Sequence, residues 1–142
     1  MTPQALRTLI ESDPQALALA QSGAADLCAA RCMQVAPKIP TSILLTELSI
    51  LRVYANPADG EAVLQQFETV ANSNPVVARV LKWIRPGAPG VDFGDARVRS
   101  MLTLPVNQGG IGLTSIQAAP LLAAAEVPQS INGSEVSTAY PF

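Results

Sequence analysis

Apolar residues recur along most of this chain at three- and four-residue spacing, the period of helices with one buried face. Many of these runs have a marked start. Thr2-Pro3, Asp13-Pro14, Asn56-Pro57 and Asn74-Pro75 each place a side-chain oxygen ahead of a proline. The oxygen accepts an orphan N–H of the first turn, and proline has no donor to lose there. Short helices are predicted over residues 3–11 and 14–21, with Gly23 taking the left-handed conformation that closes the second. Residues 24–35 should form a third, with Leu27, Cys28, Cys32 and Val35 on one core-facing stripe. After Pro37 and Pro40, Thr41-Ser42 caps the apolar segment 43–54, read as the central helix. Its β-branched residues leave a strand open, but it is long for a strand and does not alternate.

Beyond Pro57, Val63, Leu64, Phe67, Val70 and Ala71 share a helical face; Val76, Val77, Val80, Leu81 and Ile84 repeat the pattern over 75–85. The run Pro86-Gly87-Ala88-Pro89-Gly90 cannot continue a helix and is a candidate boundary between two lobes. Asp95 caps a helix reaching Leu104, a turn follows at Asn107-Gln108-Gly109-Gly110, and Thr114-Ser115 caps a last helix through Glu126, kinked at Pro120. The small polar residues after Pro128 offer too little apolar surface to offset the entropy of ordering them. The predicted fold is all-α: a compact bundle of short helices with Pro/Gly-punctuated connections, one domain over 1–127, and an extended C-terminal arm over 128–142.

Composition changes this picture in one respect. A chain of 142 residues has the size of one domain, but only 14% of it is charged, against about a quarter in ordinary soluble domains. With a net charge of −2 and a mean hydropathy of +0.28, little electrostatic repulsion keeps copies apart, so a subunit is expected rather than a solitary monomer. No apolar run approaches the roughly 20 residues of a membrane span. No basic segment followed by an apolar stretch opens the chain, so synthesis in the cytoplasm and no membrane association are expected. The basic residues are spread singly, with only Arg79, Lys82 and Arg85 near one another, and nucleic-acid binding is not expected.

The chemistry on offer is narrow. The chain has no histidine, which removes the usual general base, the Ser-His and Cys-His pairs, and the commonest metal ligand. Glu11 with Asp13, and Asp92 with Asp95, sit where helix ends attract acids, so capping is their expected role. Cys28 and Cys32 share a helix face without the geometry of a mutual disulfide, and two thiols are too few for zinc. Buried packing is the expectation for them, with an inter-subunit disulfide as the alternative. Asp92-Phe93-Gly94 lacks every companion kinase motif, Gly109-Gly110-Ile111-Gly112 lacks the lysine of a phosphate loop, and the Asn132-Gly133-Ser134 sequon needs a secretory route. Trp83, with apolar neighbours, is expected in the core.

Several segments resemble a group of small helical proteins encoded in tailed-bacteriophage genomes. Leu6-Arg7-Thr8-Leu9-Ile10-Glu11-Ser12-Asp13-Pro14 matches their opening, and Gly23-Ala24-Ala25-Asp26-Leu27-Cys28 is similar to the acidic-apolar helix that follows. Near the end, Asp95-Ala96-Arg97-Val98-Arg99-Ser100-Met101-Leu102, Gly109-Gly110 and Leu121-Leu122-Ala123-Ala124-Ala125-Glu126-Val127-Pro128 match a helix, a turn and an Ala/Leu-rich helix before a Pro/Ser tail. The stretch after Pro14 lacks the group's Gly-Tyr, and Pro120 interrupts the last helix. The resemblance implies a non-enzymatic virion structural protein, an accessory subunit of head, neck or tail. It would have no cofactor and no small-molecule substrate, and its partners would be other virion proteins and copies of itself. Ile131, Tyr140, Pro141 and Phe142 of the arm are the expected partner contacts. The alternative is an intracellular helical adaptor or assembly chaperone binding one protein through a helical groove.

Overall fold

A computed structural model describes residues 1–141. Among them nine α-helices dominate, and the chain divides into two compact units. Unit 1 takes residues 1–39 and 127–141, whereas unit 2 takes 40–126. The short strands β1 (Ile39–Pro40) and β4 (Glu126–Val127) lie where the chain passes from one unit to the other. The candidate lobe boundary at 86–90 instead falls inside unit 2, where Gly90 N–H donates to the Trp83 carbonyl (2.9 Å) and returns the loop to the domain.

In unit 1, α1 (Pro3–Ser12) and α2 (Pro14–Gln21) follow the capping signals, whereas α3 (Ala25–Val35) starts after Ala24 without a side-chain cap. Thr2 Oγ1 accepts from Ala5 N–H, and an Asp13 carboxylate oxygen accepts from Ala16 N–H. Gly23, at φ 80°, closes α2 as expected: its N–H reaches the Ala20 carbonyl, and Ala24 N–H reaches that of Leu19. The Asp13 carboxylate also holds Arg31 of α3 through two bonds of 2.8 and 3.0 Å. Hydrogen bonding to this guanidinium holds the Asp13 carboxyl below the ordinary range.

The predicted stripe of α3 is corrected in one place. Cys28 and Cys32 are buried, but Leu27 is exposed and Ala29 and Ala36 take the inward positions. The extended C-terminal arm is corrected as well. Residues Gly133–Ala139 form a helix, α9, capped by Asn132, and it packs on α3 and α1. Tertiary burial supplies what composition lacked: Ile131, Val136 and Ala139 join Leu6, Ile10 and the small residues of α2 and α3 in one core.

Unit 2 is built on α5 (Pro57–Ala71) and α6 (Pro75–Ile84), whose Asn56 and Asn74 caps are both made. The segment expected as one central helix is split. Leu44–Leu45 form β2, paired antiparallel with β3 (Val91–Asp92), and only Glu47–Val53 form α4. A pairing partner so far along the chain overrides local periodicity. Helices α7 (Ala96–Thr103) and α8 (Ser115–Ala124) complete the unit, the latter opened by a full capping box between Thr114 and Gln117 and running through Pro120. Tyr54 donates its hydroxyl to the Gln117 carbonyl, joining α4 to α8, and burial pushes its pKa up to about 12. Arg99 donates to the carbonyls of Phe93 (3.1 Å) and Leu122 (3.2 Å) and to the Glu126 carboxylate (2.6 Å). The core gathers Phe67, Phe93, Ile50, Ile84, Leu102 and Leu121.

Candidate partner-binding face

Helix α6 carries two apolar faces. Val77, Val80 and Ile84, at i, i+3 and i+7, turn into the core of unit 2. Val76 and Trp83, seven residues apart and so nearly in line along the helix, lie on the flank of that stripe, 60% and 46% exposed. The expectation that Trp83 is a core aromatic is therefore corrected: the inward positions flanking it are taken by Val80 and Ile84.

This line borders a hollow of about 460 Å3 between α6, β3 and α7. Val76, Val80 and Trp83 supply its α6 side, Val91 its β3 side, and the i, i+3 pair Val98 and Met101 its α7 side. The Gly90 N–H bond to Trp83 brings β3 to this edge. Gly94 fixes the turn that follows, because a Cβ there would collide with the Thr41 carbonyl. Isolated exposed apolar residues are ordinary on protein surfaces, but an apolar hollow flanked by an exposed tryptophan is a recognised kind of interaction surface.

Charge is confined to the rim. The two Asp92 oxygens accept from Gly94 N–H (2.8 Å) and the Ser42 hydroxyl (2.9 Å), which hold its carboxyl below the ordinary range. Asp95 caps α7 through the N–H groups of Arg97 and Val98. Asp95 thus caps a helix as expected, whereas Asp92 lies in β3 and instead holds the turn at Gly94 and the Ser42 hydroxyl. Arg97 lines the hollow, and Arg79 lies with Val76 in a depression adjoining it. Among the described residues neither arginine forms an ion pair.

The other candidates offer less. A wider depression of about 850 Å3 between α5 and α6 is lined by polar and apolar side chains alike, and Arg85 there pairs with Glu68 (3.4 Å) as well as with Glu47 (3.9 Å). Cys28 and Cys32 are fully buried in unit 1, and Cys28 donates its thiol to the Ala16 carbonyl. Burial raises the Cys28 pKa and pushes that of Cys32 up to about 12, and the same burial keeps both out of reach of a partner's thiol. Among the described residues no three His, Cys, Asp or Glu side chains gather as metal ligands, and no helix is long and apolar enough to cross a membrane.

The residues expected to contact a partner are not brought together at the surface. Ile131 is 4% exposed in the unit 1 core, and Tyr140 is half-buried with the Arg7 guanidinium 5.6 Å from its ring centre. Pro141 is exposed, and Phe142 lies outside the described residues. The α6 face was missed, although the angular offset of Trp83 from Val77, Val80 and Ile84 was readable once those three had been assigned inward. Comparison with protein-family models, curated proteins and solved structures finds no match to the chain.

Proposed function

We propose that the chain is a non-enzymatic virion structural protein of a tailed bacteriophage, an accessory subunit of head, neck or tail that works by packing against other virion proteins and copies of itself. The observation that carries this reading is the exposed α6 face, where Val76 and Trp83 line an apolar hollow on a chain only 14% charged. Such a surface is costly to leave in water and gains by being covered. The likeness of the chain's two ends to phage structural-module proteins supplies the virion setting.

Quantitative mass spectrometry of purified particles, produced from the genome that encodes the chain, tests the proposal. The chain is expected in finished particles at a fixed, multiple copy number. Its presence in infected cells but absence from intact particles would overturn the virion role in favour of an assembly chaperone or adaptor.

A further inference from the structure

We propose that Asn132-Gly133 is a self-modification site: Asn132 deamidates when α9 opens, and the product keeps that helix from closing again on α1 and α3. The proposal is independent of the packing role above. An asparagine side chain reacts with the main-chain nitrogen of the residue after it, fastest where that residue is glycine, whose missing Cβ leaves the approach unhindered. Asn132 is the only asparagine of the chain followed by glycine. Asn56 and Asn74 precede prolines, which have no N–H to react, and Asn72 and Asn107 precede serine and glutamine.

The reaction consumes water and releases ammonia, with nothing oxidised or reduced. The Gly133 nitrogen gives up its proton to solvent and bonds to Asn132 Cγ. The Cγ–Nδ2 bond breaks, and ammonia departs to leave a cyclic imide. Water opens the imide at Cγ to give aspartate, or at the main-chain carbonyl to give isoaspartate, in which the chain runs on through the former side chain.

Closed α9 blocks the first step. Asn132 Oδ1 accepts from Glu135 N–H (2.9 Å) and its Nδ2 donates to the Glu135 carboxylate (3.2 Å), so both ends of the amide are held at the cap. Ring closure needs Cβ and the Gly133 nitrogen nearly eclipsed about the Cα–C bond, whereas a ψ of 168° at Asn132 keeps them apart. The lock is a weak one. The seven residues of α9 bury only the side chains of Val136 and Ala139, and among the described residues no ion pair ties them to the rest of unit 1. Elements with so little burial open first. Isoaspartate then hinders reclosure, because its added main-chain atom displaces Gly133, which lies against Asp26 of α3 where even a Cβ would meet the carboxylate. The new charge also faces Glu135 in place of the amide that donated to it.

Incubation of the full chain at mildly alkaline pH, with peptide mapping that separates asparagine, aspartate and isoaspartate at each site, tests this. Alkylation of Cys28 and Cys32, which share a core with Val136 and Ala139, is followed in the same samples. Circular dichroism establishes folding beforehand. Asn132 is expected to react ahead of Asn72 and Asn107, and about tenfold or more slowly in the folded chain than in urea. Val136→Ala, which loosens α9, should speed the reaction of the folded chain about tenfold. Alkylation should rise in step with isoaspartate content. Asn132→Ser, which keeps a capping oxygen and has no amide to lose, should show no such rise.

A folded chain in which Asn132 never reacts, equal rates with and without urea, or a folded Val136→Ala no faster than the natural chain would each overturn the proposal. So would modified molecules whose thiols stay protected, or an Asn132→Ser chain that loses protection at the natural rate. If Val136→Ala does not fold, the natural chain and Asn132→Ser decide the matter alone.

Discussion

The two units solve the same packing problem with opposite materials. Unit 1 packs Ala16, Ala20, Cys28, Ala29, Cys32, Ala36 and Ala139 around Leu6, Ile10, Ile131 and Val136, and among the described residues it buries no aromatic ring completely. Unit 2 is filled by Phe67 and Phe93 among large aliphatic side chains. Small residues let helix backbones approach closely and leave no room for added volume. Large residues contribute more apolar area each, and leave a cavity when shortened. One unit should therefore be intolerant of enlargement and the other of truncation.

The chain carries reporters that separate them. Both cysteines lie in unit 1 and the single tryptophan in unit 2, so thiol alkylation follows the opening of the first and indole emission that of the second. The largest effect is expected from Phe67→Ala, which should cost unit 2 about 3–5 kcal/mol in a urea titration followed by Trp83. Protection of Cys28 and Cys32 in the same samples should be unchanged. Loss of that protection would break the comparison, because the cores would then not be energetically separate.

Next comes Ala20→Leu in unit 1, expected to cost about 1–3 kcal/mol by overpacking. Alkylation of Cys28 and Cys32 should accelerate while the Trp83 transition stays where it was. A stabilised unit 1 would instead mean that the core holds unfilled space.

The smallest effect is one of pH. The carboxyl of Asp13 is held by Arg31 below its unfolded value of about 3.9. Its contribution to unit 1 is therefore complete above that value and is lost as pH falls through the lower folded pKa. Asp13→Asn should flatten the acid limb of thiol protection between about pH 5 and 2, and an unaltered limb would assign the effect elsewhere. The acid limb of unit 2, where Asp92 is lowered by Gly94 and Ser42, should not change in that variant.

Helix starts were the most legible part of the fold, because capping is local chemistry: Thr2, Asp13, Asn56, Asn74, Asp95 and Thr114 all mark observed N-termini. What depended on distant residues was not legible. Leu44 and Leu45 left the expected central helix for pairing with Asp92 and Val91. Residues 128–142 read as a polar tail, since Ile131, Val136 and Ala139 are the few that face the core and their partners lie on α1 and α3. The insertion of unit 2 within unit 1 has no local signal either, whereas the linker-like 86–90 gave a misleading one. The candidate face lay between these cases. Its residues were in view, but their exposure followed only after the inward stripe of α6 had been fixed.

The placement of the chain ends has a mechanical consequence. Unit 1 holds the beginning of the chain and the described end, while unit 2 is threaded between Ile39 and Val127. A pull applied at the two ends is carried by unit 1, whose α1, α3 and α9 lie side by side. Unit 2, with the face around Trp83, bears no tension until unit 1 has torn open. The smaller-residue unit is thus the mechanical fuse of the molecule, and the module bearing the α6 face is the part sheltered from load.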